Sequence, residues 1–97
     1  MFKKKTHIDY MKVIMYTSNF CPYCTHAEKL LNKKGLNNIN KIFIDKSQDD
    51  LLKMIEITGR RTVPQIFIND QHIGGFDDLR KFDQSGELDK VISNSTI

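Results

Sequence analysis

The apolar and polar positions of this 97-residue chain follow two alternating periods. Lys12–Thr17 (KVIMYT) is a β-branched and aromatic run, which predicts a buried strand. Residues 18–20 read as a short loop. From Pro22 to about Lys34 the spacing turns helical. Tyr23, Ala27, Leu30 and Leu31 stand at i, i+4, i+7 and i+8, and Gly35 occupies the place of a C-cap. Lys41–Ile44 (KIFI) predicts a second strand, and a helix between two strands predicts a parallel crossover. Ser47 and Asp50 form the Ser-x-x-Asp signature of a helix start. Leu51, Leu52, Ile55 and Thr58 then mark an inward face that ends at Gly59. "QIFIND" after Pro64 and "QHIGG" read as two strands meeting at Asn69-Asp70, a pair that tolerates positive φ and suits an antiparallel hairpin. Asp77–Phe82 reads as a short helix, and Ser85 to Ile92 as a last one with Leu88, Val91 and Ile92 inward. The order β-α-β-α-β-β-α-α predicts an α/β fold, a four-stranded mixed sheet with helices on both faces.

Composition narrows the class. One domain, residues 11–92, holds every predicted element. Residues 1–10 (MFKKKTHIDY) are expected to be a polar extension without a role, with Met11 a candidate start, and residues 93–97 a frayed tail. The net charge is +3, and the 15 basic residues are scattered among 12 acids rather than gathered in a stripe, so a nucleic acid is not the expected partner. No apolar run reaches the ~18 residues of a membrane span, and no apolar segment follows the charged "KKK" as in a signal peptide. The expectation is a cytoplasmic monomer with no membrane partner.

The chemistry lies in the two cysteines, Cys21 and Cys24, three residues apart where the first strand gives way to the first helix. Two cysteines cannot staple a secreted scaffold, and in a reducing compartment a close pair points to redox chemistry or metal. A structural zinc site needs four ligands, and His7, His26 and His72 do not supply the missing pair near the cysteines. A purely structural disulfide closing so short a loop would stabilise little. Cys21 at the helix tip faces backbone N–H groups that lack intrahelical partners and favour a thiolate. Pro22 fits the first turn, where its missing N–H costs nothing. Cys24 lies one turn deeper on the same face. Cys21 is therefore the expected nucleophile and Cys24 the resolving thiol. C-x-x-C closing the first strand of such a chain is a thioredoxin-like context.

"CPYC" after a "YT" strand, then "RTVPQIFIND", then "GGFDDL" resembles the short dithiol glutaredoxins over about residues 11–92. The resemblance implies a thioredoxin-like fold and a glutathione-dependent thiol–disulfide oxidoreductase. Such an enzyme holds no permanent cofactor, is reduced by glutathione (and through glutathione reductase by NADPH), and acts on glutathionylated or disulfide-containing proteins. It also implies a cis Val63–Pro64 bond that exposes the Val63 backbone beside Cys21. Glutathione, γ-Glu-Cys-Gly, carries two carboxylates, an ammonium and a peptide stretch. Thr62, Val63 and Pro64 can meet the peptide as an added strand. Gly75 opens a helix start whose N–H groups at Phe76 and Asp77 can hold the γ-glutamyl carboxylate. Asp78, or else Asp77, can take the ammonium, while Asp77 alternatively is a plain helix cap. Arg60 can fork onto the glycine carboxylate, whereas Arg61 reads as surface. Tyr23 either shields the mixed disulfide beside Cys21 or is a core aromatic.

One position departs from the family. Many members carry a lysine three residues before the first cysteine, and here that residue is Ser18. Cys21 is then expected to be activated by the helix terminus alone. Two rivals remain: a thioredoxin-type reductase, against which stand the absence of tryptophan and Pro-Tyr between the cysteines, and a glutathione-dependent iron–sulfur carrier, against which stand Pro22 and the second thiol.

Overall fold

The structure is a computed structural model that describes residues 11–94; the expectations for residues 1–10 and 95–97 lie outside them. The chain runs β1 (Val13–Thr17), α1 (Pro22–Lys33), β2 (Ile39–Phe43), α2 (Gln48–Thr58), β3 (Gln65–Ile68), β4 (Gln71–Gly74), α3 (Phe76–Gln84) and α4 (Glu87–Asn94). The sheet order is β2-β1-β3-β4. β1 and β2 are parallel, with Val13 opposite Ile39, and β1–β3 and β3–β4 are antiparallel. This is the expected thioredoxin-like arrangement.

The two sheet faces bury different sets. Val13 and Met15 of β1 and Ile66 and Ile68 of β3 pack with Ala27 and Leu31 of α1, Leu79 of α3 and Leu88 of α4. Tyr16 and Phe67 point to the opposite face and meet edge-on, ring centroids 6.1 Å apart. Burial and, after it, the negative charge of Asp50 on α2 raise the Tyr16 pKa.

Local chemistry sets the element ends. The α1 helix stops in a Schellman turn at Gly35 (φ 90°), where the Leu36 N–H donates to the Leu31 carbonyl at 2.9 Å. Ser47 caps α2, its Oγ accepting from the Asp50 N–H at 3.3 Å. Asn69 (φ 50°) and Asp70 (φ 68°) make the hairpin turn with positive φ at both central positions.

The inward helix faces match the expected ones except at one position in each helix. In α1 the buried residues are Cys24, Ala27 and Leu31, and Tyr23 is 62% exposed. In α2 Met54 is fully buried, while Leu52 is 54% exposed. Ala27, Leu30 and Leu31 of α1 and Leu51, Ile55 and Thr58 of α2 do turn inward, so only Tyr23 and Leu52 leave the faces that apolar spacing selects. A residue near a helix end can satisfy the spacing and still overhang the sheet. The β2 strand starts two residues earlier than expected, α3 starts at Phe76, and α4 runs through Asn94, into the segment expected to fray.

Candidate active site

The loop after β1 delivers the cysteines. It reverses at Phe20, which takes positive φ (58°) and is fully exposed, and the Asn19 N–H donates to Asp45 Oδ2 at 3.2 Å, which ties the loop to the end of β2. Cys21 is then the N-cap of α1, and its Sγ accepts from the Cys24 N–H at 3.1 Å. A sulfur in that position takes the place of a capping oxygen, so negative charge on it is met by an orphan donor and the helix dipole. The first turn of α1 carries no acidic residue to oppose that charge. Cys24 is 4% exposed and Cys21 only half-buried. The two are joined in a disulfide, Cα atoms 5.2 Å apart. The outer sulfur is thus the one an incoming partner can reach.

On one side of Cys21 runs the segment after α2. Gly59 ends that helix in the left-handed conformation (φ 71°), and the Arg60 N–H returns to Thr58 Oγ1 at 3.0 Å. The Val63–Pro64 bond is cis, and the Val63 carbonyl oxygen lies 4.0 Å from Cys21 Sγ. Across from it, Gly75 is the N-cap of α3 and has no side chain to offer, so Asp78 Oδ2 accepts the Gly75 N–H at 2.9 Å. The cap role therefore belongs to Asp78 rather than Asp77. All nine residues assigned to the peptide seat (Tyr23, Arg60, Thr62, Val63, Pro64, Gly75, Phe76, Asp77 and Asp78) line one groove of about 390 Å³, with Gln65 added. That volume is in the range of small-molecule sites.

Two details go beyond the expected picture. Arg60 Nη1 lies 2.7 Å from Asp78 Oδ2, so the two charges expected to face opposite ends of a peptide are paired with each other. The Arg60 hydrogen bond, and then the Gly75 N–H, hold the Asp78 carboxyl below its ordinary pKa, which keeps it ionised. Tyr23, instead of entering the core, stacks on Phe76 with ring centroids 6.3 Å apart, and His26 joins them at 5.7 Å from Phe76. This aromatic wall borders the groove beside the cysteines. Among the described residues no group of three or more His, Cys, Asp or Glu is placed to hold a metal ion, and no helix is long and apolar enough to cross a membrane. A second cleft, about 520 Å³, opens on the other side of the cysteines around Ser18, Phe20 and Thr25, with Lys41 and Glu28 paired there at 2.8 Å.

Two further residues stand out beside the groove: Gln65, to which the sequence assigned no role, and His72, weighed in the sequence only as a metal ligand. The signal for Gln65 was present, since a polar residue opens a strand that is otherwise apolar in "QIFI".

A strand–loop–helix with a dithiol at the helix tip, facing a cis-proline segment, defines a thioredoxin-like thiol–disulfide oxidoreductase. The glutaredoxin family model matches residues 13–73. The glutaredoxin of Neisseria meningitidis serogroup A is 46% identical over 81 residues, covering 84% of this chain and 95% of that protein. Glutaredoxin 3 of Escherichia coli K12 is 46% identical over 80 residues, covering 82% and 95%. A buckwheat glutaredoxin solved as a glutathione complex superposes with a TM-score of 0.77 at 27% identity, covering 91% of this chain and 82% of that one. The chain belongs to the glutaredoxin family.

Proposed function

We propose that the chain reduces protein–glutathione mixed disulfides and protein disulfides, with glutathione as its reductant. The observation that carries this reading is the groove of about 390 Å³ beside Cys21, whose parts answer the groups of glutathione one by one. Arg60 meets the glycine carboxylate, the Thr62-Val63-Pro64 backbone the cysteinyl peptide, the N–H groups at Phe76 and Asp77 the γ-glutamyl carboxylate, and Asp78 the ammonium. The similar buckwheat protein, solved with glutathione, supports glutathione as the partner. Binding exchanges the Arg60–Asp78 pair for two contacts with the ligand's own opposite charges. Tyr23 and Phe76 shield the sulfur bridge.

The reaction starts when the Cys21 thiolate attacks the glutathione sulfur of a mixed disulfide. The Cys21–glutathione S–S bond forms, the S–S bond between glutathione and the protein sulfur breaks, and the protein leaves as a thiolate that takes a proton. The thiolate of a second glutathione attacks the bound glutathione sulfur, releasing oxidised glutathione and the Cys21 thiolate. In the dithiol route Cys21 joins one sulfur of a protein disulfide. Cys24 then attacks Cys21 Sγ, closing the internal disulfide and releasing the protein dithiol, and two glutathiones reopen it. No permanently bound cofactor enters. The enzyme acts as a monomer in the cytoplasm, where NADPH-driven glutathione reductase keeps glutathione reduced.

The test is reduction of a mixed disulfide between glutathione and a small thiol, coupled to glutathione reductase and NADPH. Turnover that depends on glutathione and on Cys21 is expected. Turnover supported by thioredoxin reductase but not by glutathione would replace this reading with the thioredoxin-type one.

A further inference from the structure

Gln65 opens β3, and its side chain is 1% exposed. A buried amide must find partners at both ends. Its Nε2 donates to the Thr62 carbonyl at 3.0 Å and lies 3.4 Å from Thr62 Oγ1. Its Oε1 stands 2.8 Å from Nε2 of His72 on β4. A carbonyl only accepts, so the amide nitrogen must face Thr62, and Oε1 is left for His72. The imidazole then has to donate from Nε2. The ring is braced by Phe67, its cross-strand partner, with centroids 4.9 Å apart and planes 29° from parallel. Gln65 and Phe67 share one face of β3, so a single residue of β4 reaches both.

This chain of contacts ends on the peptide unit between Thr62 and Val63. That bond is trans, since the cis bond is the next one. In a trans peptide the C=O and N–H point in opposite directions. With the Thr62 carbonyl turned inward to Gln65, the Val63 N–H is turned outward, into the groove that Thr62, Val63 and Pro64 line.

We infer that Gln65 and His72 are positioning residues of the substrate seat. His72 orients the Gln65 amide, and Gln65 clamps the Thr62 carbonyl so that the Val63 N–H is presented to a carbonyl of an extended cysteinyl peptide bound beside Cys21. The inference rests on the glutathione reading of that groove. Without the clamp the Thr62–Val63 peptide plane is free to turn, so substrate binding weakens. Cys21 chemistry is unaffected, because the sulfur is set by α1 and the Cys24 N–H.

The experiment uses the full chain and three variants. His72→Phe keeps the stack on Phe67 but removes the donor. Gln65→Met keeps the volume but removes both hydrogen bonds, and His72→Gln restores an amide donor. The readouts are KM and kcat for the glutathione mixed disulfide, the alkylation rate of reduced Cys21 by iodoacetamide without glutathione, and the melting temperature. KM is expected to rise about fivefold in His72→Phe and Gln65→Met, the size of one hydrogen bond. The kcat and the alkylation rate are expected to stay within about twofold, since the missing contact is one of binding. His72→Gln is expected to recover most of the loss in KM. Unchanged KM in both disrupting variants, with glutathione turnover intact in the wild type, overturns the relay and leaves the glutathione reading standing. A parallel fall in kcat, alkylation rate and melting temperature without rescue by His72→Gln shows a merely structural role and also overturns it. A wild type with no glutathione-dependent turnover overturns both readings.

Discussion

Gly74 ends β4 at φ 119°, a backbone region that L side chains rarely adopt, and it faces the carboxylate that caps the next helix. A Cβ added there would sit 2.7 Å from Asp78 Cγ and 2.8 Å from Asp78 Cβ, closer than carbon atoms approach. Gly74→Ala therefore has two costs. The strained backbone contributes about 1–3 kcal/mol. Pushing Asp78 aside contributes about 1–3 kcal/mol more, as overpacking does elsewhere. Allowing for partial relaxation, a loss of about 2–4 kcal/mol is expected; at about 4–8 °C per kcal/mol for a domain of this size, the melting temperature falls by about 8–32 °C. The displaced Asp78 also gives up the Gly75 N–H and Arg60, so substrate binding weakens along with stability. Urea unfolding of the reduced protein measures the loss. The same substitution on an Asp78→Ala background removes the carboxylate from the collision and leaves only the Cβ, so Gly74→Ala should cost at least about 0.5 kcal/mol less there, a coupling typical of residues in contact. A loss under about 1 kcal/mol, or perfect additivity, would refute the steric account.

Other outcomes follow from the same geometry. Cys24→Ser should keep turnover of glutathione mixed disulfides and lose reduction of protein disulfides, whereas Cys21→Ser should lose both; activity surviving in Cys21→Ser removes the nucleophile assignment. Ser18→Lys places a cation near the outer sulfur and should lower the pKa of the reduced Cys21 thiol, read as the pH midpoint of its alkylation rate; an unmoved midpoint sinks the charge argument. Arg60→Gln should raise KM for the glutathione mixed disulfide about fivefold, since the contact is charge-assisted but exposed, and more at low than at high salt; a KM equal to wild type would detach Arg60 from the seat. Burial, and then the positive charge of Arg60, depress the His72 pKa against an opposing pull from Asp78. The unfolded chain then binds the extra proton more readily, so this contribution to stability is full above the ordinary histidine pKa and is lost as pH falls below it. Urea unfolding at pH 7.5 and 5.0 should show wild type losing more stability than His72→Phe, and equal losses would contradict a half-buried neutral ring.

Much of the site was legible because its chemistry is local. Cys21 and Cys24 three residues apart, with Pro22 between them at a strand-to-helix junction, already specify an N-cap sulfur and a partner one turn deeper. Asn69-Asp70 announces its turn, because few residue pairs accept positive φ twice. The remote groove segments were readable only through family resemblance, since no period or spacing in the chain says that Arg60 and Asp78 meet.

What the sequence by itself determined is the order of elements, the sheet they build and the placement of two thiols at a helix tip. These depend on neighbours within a few positions, where propensity and period act directly. What only the tertiary structure decided is rotation and pairing across distance. The inward faces of α1 and α2 kept Ala27, Leu30, Leu31, Leu51, Ile55 and Thr58 but took in Cys24 and Met54 in place of Tyr23 and Leu52, because the sheet, not the spacing, selects which end of an apolar face is covered. Asp78 became both the cap of α3 and the partner of Arg60, because Gly75 offers no side chain of its own. The Gln65 amide found Thr62 on one side and His72 on the other, because a buried polar group takes whatever partners the fold brings within reach.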